Sequence, residues 1–323
     1  MVSGDSPRVE NEPRSIAGVC EVRRFSAPGV GTEVPAGLLI ELPHGATRAE
    51  HFETLRRRLR SRLPADLAAF FFVNTDVGTP ECAARLARAV TADLDGARRG
   101  SGTGTPLDAV LILRSLIPRT FVDCNRVIDF DRPSQLTAAI PDYVRHPDDA
   151  ALLRELHESY QAAAALAYRS VCARGGTAIQ LHSFAPRSID VGRVGADIVE
   201  VLRRAYAPER YGRWPLRPEV DLITRTDQDE LLAPQRLVER VRACYARRGV
   251  EVAENATYRL HPASSGQAHA HRYRGQVLCV ELRRDRLADP FDPFVEMTIG
   301  AAQVDAMATP LAEACVEVLA PAP

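Results

Sequence analysis

Short, nearly continuous apolar runs alternate along the chain with segments whose apolar residues recur every three or four positions. The first pattern predicts buried strands, the second amphipathic helices. Strands are expected at 37–43 (GLLIELP), 68–74 (AAFFFVN), 109–115 (AVLILRS), 120–125 (TFVDCN), 177–182 (TAIQLH), 220–225 (VDLITR) and 276–283 (QVLCVELR). Those at 109–115 and 120–125 are candidates to pair with each other. Helices are expected at 47–63, 80–94, 147–172, 191–206, 234–248 and 294–318, the second opening on Pro80. The alternation predicts a single α/β domain of three layers, with a mostly parallel central sheet flanked by helices. Residues 1–15 read as a disordered lead-in, 98–106 as a flexible Gly-rich connection and 320–323 as a tail, leaving 16–319 as the domain.

Composition narrows the chemistry. The 323 residues are 46% hydrophobic and 26% charged with a formal net charge of -1, so no charged field points to nucleic acid or an anionic membrane. All 41 basic residues are arginine, which excludes a Walker lysine, a Schiff-base lysine and a lysine nucleophile. A substrate anion therefore meets Arg, His or backbone N–H groups, and the planar guanidinium suits a carboxylate best. The seven cysteines are scattered without a CxxC, which speaks against a disulfide framework or a structural zinc knot. The segment MVSGDSPRVENEP is polar and lacks the apolar stretch of a secretory signal, and no apolar run is long enough to span a bilayer. A cytoplasmic protein acting on a small molecule is expected, with its oligomeric state left open.

In an open α/β sheet the ligand site lies beyond the carboxyl ends of the strands. The residues that follow the apolar runs are therefore informative. They are Pro43-His44-Gly45, Asn74-Thr75-Asp76, Asp123-Cys124-Asn125-Arg126 and His182-Ser183, with Glu281 near the end of the last strand. Two histidines and acidic groups suit a zinc site and a general base, and Asn125 with Arg126 suits an anion clamp. Each has a plainer reading. Asp76 can cap the helix near Pro80, Glu281 can pair with Arg283 or Arg284, and Asn125-Arg126 can be a turn with a surface cation. A Glu inside VLCVEL is costly to bury without a partner, which favours a role.

Taken in order, these residues resemble the N-formylglutamate amidohydrolase family, itself similar to zinc carboxypeptidases and aspartoacylase-type deacylases. The resemblance spans roughly residues 37–290 and rests on Pro43-His44-Gly45-Ala46, Thr75-Asp76-Val77-Gly78, Arg119 through Asp123-Cys124-Asn125-Arg126, Leu156-His157 with Tyr160, Gln180-Leu181-His182-Ser183 and Cys279-Val280-Glu281-Leu282. The chain departs from the family at Gly45-Ala46 (in place of Ser-Gly), at Cys124 (Leu), at Gln180 (Asp) and across 258–271. The Gln180 change leaves a carboxylate behind His182 either missing or supplied from elsewhere.

The resemblance implies a zinc-carboxypeptidase-like fold and a Zn2+-dependent hydrolase that cleaves the amide bond of an N-acyl, N-formyl-like amino acid or related carboxylated amide. It implies zinc held by His44, His182 and a carboxylate, here taken as Asp76. The position three residues after His44, where carboxypeptidases carry the acid, is Thr47. Glu281 is then the general base and Arg119 the oxyanion donor, with Asn125 and Arg126 gripping the substrate carboxylate. Two other readings stand beside it: a cysteine hydrolase pairing Cys124 with His182, and an inert carboxylate-binding protein on the same scaffold. His269 and His271 face one side if they lie on a strand and are otherwise loop or surface residues; His157 lies over the pocket or packs.

Overall fold

The computed structural model describes residues 12–98, 109–128, 138–191 and 194–319. The expected lead-in up to residue 11, residues 99–106 of the Gly-rich connection and the tail at 320–323 lie outside them. Among the described residues seven strands form one sheet: β1 (Cys20–Ser26), β2 (Leu38–Leu42), β3 (Ala109–Ser115), β4 (Thr177–Phe184), β5 (Val220–Ile223), β6 (Val252–Glu254) and β7 (Val277–Arg283). Their order is β1-β3-β2-β4-β7-β5-β6. The centre, β3-β2-β4-β7, is parallel; β1 runs antiparallel to β3, and β5 antiparallel to β7. The helices are α1 (Ala49–Arg56), α2 (Leu67–Asn74), α3 (Thr79–Arg98), α4 (Pro147–Cys172), α5 (Ile198–Ala205), α6 (Pro208–Tyr211), α7 (Gln235–Ala246), α8 (Ser265–Arg272) and α9 (Ala301–Leu319).

The sheet is covered on both faces, which is why its central strands are apolar throughout. Even-numbered residues of β2 (Leu38, Ile40, Leu42) join Ile179, Leu181, Leu278 and Val280 under α3, α7 and α9. On α3, Cys82, Ala83, Leu86, Ala87 and Val90 recur at helical spacing on that side. The opposite face carries Leu39, Leu111, Ala178 and Cys279 under α1, α2, α4 and α5. Alternation puts Glu41, Gln180, His182 and Glu281 on this second face too. Register then sets them side by side: Glu41 pairs with Gln180, Gln180 with Cys279, and His182 with Glu281. No helix of the described residues is long and apolar enough to cross a membrane.

Three expectations change. The run at 68–74 is helix α2, with Leu67, Phe70 and Phe71 buried. LAAFFFVN is apolar all round, so its periodicity cannot separate strand from helix. It packs beside α1 and α5 on the sheet face, with the Phe71 ring 5.4 Å from Phe52. Residues 120–125 form turns; Phe121 and Val122 both donate to the Pro118 carbonyl. Pairing with β3 is impossible because β1 and β2 already occupy both its edges. Third, β1 and β6 carry no strand signal of their own, since β1 (CEVRRFS) is rich in charge and β6 has three residues. Three helices are shorter than expected: α1 ends at Arg56, α5 starts at Ile198 and α9 starts at Ala301.

Candidate metal centre and its cavity

His44 follows β2 after Pro43. A Cβ on Gly45 would lie 2.5 Å from the Arg114 side chain and 3.1 Å from the Leu42 carbonyl, so glycine is what lets Arg114 pack this close to the chain. His182 projects from within β4. Asp76 sits in the turn joining α2 to α3, fastened by Thr75, whose hydroxyl donates to the Ala46 carbonyl, and by Ser183, whose hydroxyl donates to the Val77 carbonyl. All three side chains are buried. Asp76 Oδ2 lies 2.9 Å from His182 Nδ1 and 3.3 Å from His44 Nδ1. One donor atom from each lies within 4.8 Å of the others, a spacing that can hold a metal ion.

The outer nitrogens decide the fit. His44 Nε2 is 2.7 Å from Asp123 Oδ1, and His182 Nε2 is 3.2 Å from Gln180 Oε1. With each Nε2–H donated to an oxygen, both Nδ1 lone pairs face Asp76, the arrangement of an oriented histidine–carboxylate metal site. Two imidazoles and one carboxylate are a donor set of the catalytic zinc type. When the imidazoles are protonated at Nδ1 as well, burial works to raise the Asp76 pKa, but the charge on His44 and hydrogen bonds from both Nδ1–H groups hold it well below the carboxylate range. Burial works to lower that of His182, and the hydrogen bond to Asp76 with the charge of Glu281 raises it instead.

Around this cluster lies a cavity of ≈ 800 Å³ lined by His44, Asp76, Arg119, Arg126, His182 and Glu281 among others. That is the size of a small-molecule site. Glu281 forms no hydrogen bond or close ion pair with a described residue, and burial together with the Asp76 charge pushes its pKa up. Neither arginine suggested as its partner takes it: Arg283 pairs with Asp285, and Arg284 reaches Asp76 Oδ1 at 3.6 Å. Arg119 Nε donates to Asp123 Oδ2 at 2.9 Å. Arg126 is mostly buried at the cavity wall, its Nε 4.0 Å from Asp123 Oδ2 and without a hydrogen-bond partner among the described residues, its Nη1 on the Asn125 carbonyl. Asn125 is engaged elsewhere: its Oδ1 accepts from Ser265 Oγ and the Gly266 N–H, while its Nδ2 lies 3.5 Å from His182 Nε2.

Other candidates fall outside the chemistry. Cys124 is fully buried, within 3.5 Å of the Ser115 hydroxyl, and burial raises its pKa, so it is no nucleophile. His157 donates to the Arg126 carbonyl at 2.8 Å and so fixes the loop that carries the arginine. His269 and His271 lie on α8, not on a strand, so they point apart; His269 stacks on Tyr168 at 3.8 Å, and His271 approaches Glu230 near the surface.

No family profile matches the chain, and no curated protein matches it. Solved structures do. The crystal structure of N-formylglutamate amidohydrolase from Ralstonia eutropha JMP134 is similar over 92% of this chain and 96% of that one, at 17% identity and TM-score 0.53. The gene product Atu2144 from Agrobacterium tumefaciens is similar over 92% and 94%, at 19% identity and TM-score 0.46. A metallo-carboxypeptidase from Burkholderia cenocepacia covers 92% of this chain and 60% of its own, at 11% identity and TM-score 0.37. The amidohydrolase likeness establishes a shared fold, the one the family resemblance implied.

Sequence reasoning passed over four residues. Asp123 appeared only as part of a motif, although it anchors His44. Arg284, buried against the Ser183 and Val73 carbonyls, had been read only as a neighbour of Glu281. Arg217 lines the cavity between the Phe184 and Tyr258 rings, at 5.1 and 5.4 Å. Glu41 carried a usable signal: the cost of burying a Glu in VLCVEL applies equally to the one in LLIEL.

Proposed function

We propose that this chain is a zinc-dependent hydrolase that cleaves the amide bond of an N-acyl, N-formyl-like amino acid or a related small carboxylated amide. The observation that carries the reading is the convergence of His44 Nδ1, His182 Nδ1 and Asp76 Oδ2 in one cavity beside Glu281, which no described residue hydrogen-bonds. When bound, zinc supplies Lewis acidity at the amide carbonyl and acidifies water toward a pKa of about 7.

The chain's own residues do the rest. The Glu281 carboxylate takes the proton of the attacking water and passes it to the leaving amine, a role its raised pKa suits. Arg119, oriented by Asp123, presents its remaining N–H groups to the developing oxyanion. Arg126, whose Nε makes no hydrogen bond to a described residue and lies 4.0 Å from Asp123 Oδ2, turns its guanidinium to the substrate carboxylate, and His157 holds its backbone in place. Asn125, tied to α8 through Ser265 Oγ and the Gly266 N–H, borders the carboxylate subsite.

The test is elemental analysis of purified protein together with hydrolysis assays on a panel of N-acyl amino acids. One zinc per chain and chelator-sensitive release of the free amino acid are expected, with no effect of thiol alkylation. Carboxylate binding without zinc or turnover would instead mark an inert binding protein.

A further inference from the structure

Glu41 lies at the centre of the sheet, fully buried, yet three groups donate to it. Tyr160 reaches Oε1 at 2.9 Å; Tyr168 and Gln180 Nε2 reach Oε2 at 2.7 and 2.8 Å. The two tyrosines stand two turns apart on α4, and burial with the Glu41 charge pushes both their pKa values well up, so they remain O–H donors. A carboxylate accepts only, so it admits the NH2 end of the Gln180 amide and rejects the oxygen. The amide is thereby oriented, and its Oε1 must face His182 Nε2 at 3.2 Å. The Cys279 thiol, 3.5 Å from the same oxygen, is a second donor consistent with that orientation. A Cβ on Gly266 would come within 2.4 Å of Gln180 Oε1, so α8 is glycine where the amide passes.

An oxygen facing His182 Nε2 requires the proton on that nitrogen and leaves Nδ1 free toward Asp76. The contact to Asn125 Nδ2 at 3.5 Å is the longer of the two and does not set the tautomer. We infer that Glu41 is a positioning residue of the metal centre: acting through Gln180, it fixes the tautomer of His182 and supplies the negative charge behind it. The carboxylate that the resemblance places at position 180 is thus relocated to the neighbouring strand, one hydrogen bond further from the imidazole. This inference rests on the metal-site reading above.

Zinc affinity of the full-length protein, measured by competition with a chromogenic chelator alongside melting temperature, tests it. Glu41→Gln should weaken zinc binding about 10- to 100-fold, the usual effect of losing an outer partner of a ligating histidine. The exchanged pair E41Q/Q180E, which moves the charge beside His182, should recover most of that loss. Gln180→Met keeps Glu41 and its tyrosines but cuts the link, and should lose affinity to a similar degree. Wild-type affinity in E41Q or Q180M overturns the inference while leaving the metal site intact. So does an exchanged pair as weak as E41Q, because the loss would then be structural. A wild-type chain that takes up no zinc overturns the metal reading and this inference with it.

Discussion

Each imidazole of the site has its Nε2 against an oxygen of its own and its Nδ1 toward the shared Asp76 carboxylate, a convergence that suits a metal ion. His44 is fixed by Asp123, which is itself held by Arg119 and by the Asn125 N–H. Glu281 has the opposite character, a carboxylate close to the cluster and bonded to none of it. Glu281→Gln should therefore retain zinc and lose about 10²- to 10⁴-fold in kcat; a variant that keeps most of its turnover rules out the base role. Since Glu281 must be ionised to accept a proton and burial raises its pKa, kcat/KM should fall as pH drops through that raised value. The acid limb of the pH–rate profile should stand above the ordinary glutamate value of about 4.3; a limb at or below it contradicts the assignment. Arg126→Ala should raise KM for carboxylated substrates about 10- to 100-fold at nearly constant kcat, the scale of one charged hydrogen-bonding partner. Steady-state kinetics on an N-acyl amino acid decide this, and an unchanged KM removes the clamp.

Elements with a clear period were legible in the chain, and those without one were not. The central strands β2, β3, β4 and β7 and the long helix α4 coincide closely with their expected spans, because buried parallel strands and amphipathic helices each impose their own spacing. Helix α2 escaped because all its faces are apolar, and β1 because an edge strand does not need an apolar sequence. Residues 120–125 read as a strand on composition alone, whereas sheet topology leaves that segment no edge to join. The helical reading of α2 has a consequence. Phe71 is fully buried against Phe52 and the sheet, so Phe71→Ala should cost about 3–5 kcal/mol in urea denaturation. A loss below about 1 kcal/mol would mean the helix is not seated on the core as described.

At the scale of the whole molecule the site is a convergence of pieces far apart in sequence. His44 comes from the end of β2, Asp76 from the α2–α3 turn, Asp123 from a loop, and His182 and Glu281 from paired strands. A ligand that binds this assembly and not the unfolded chain stabilises the fold by mass action. Zinc at a hundredfold excess over its Kd should add about 2.7 kcal/mol, seen as a rise in melting temperature that a chelator reverses. Equal melting curves with and without zinc would contradict a site made from these residues. The sequence by itself determined the fold class, the strand positions of His44, His182 and Glu281, and the identities of His44, Asp76, His182 and Glu281 as candidates, because burial and period leave marks in local composition; it misplaced Asp76 and Asp123–Arg126 after strands that are a helix and a set of turns. Only the tertiary structure decided that both Nδ1 atoms face Asp76, that Asp123 meets the Nε2 of His44 and Gln180, itself bonded to Glu41, that of His182, and that Cys124 is sealed away. Those properties depend on strand register and on which helix covers which face, and neither is written in any contiguous stretch of residues.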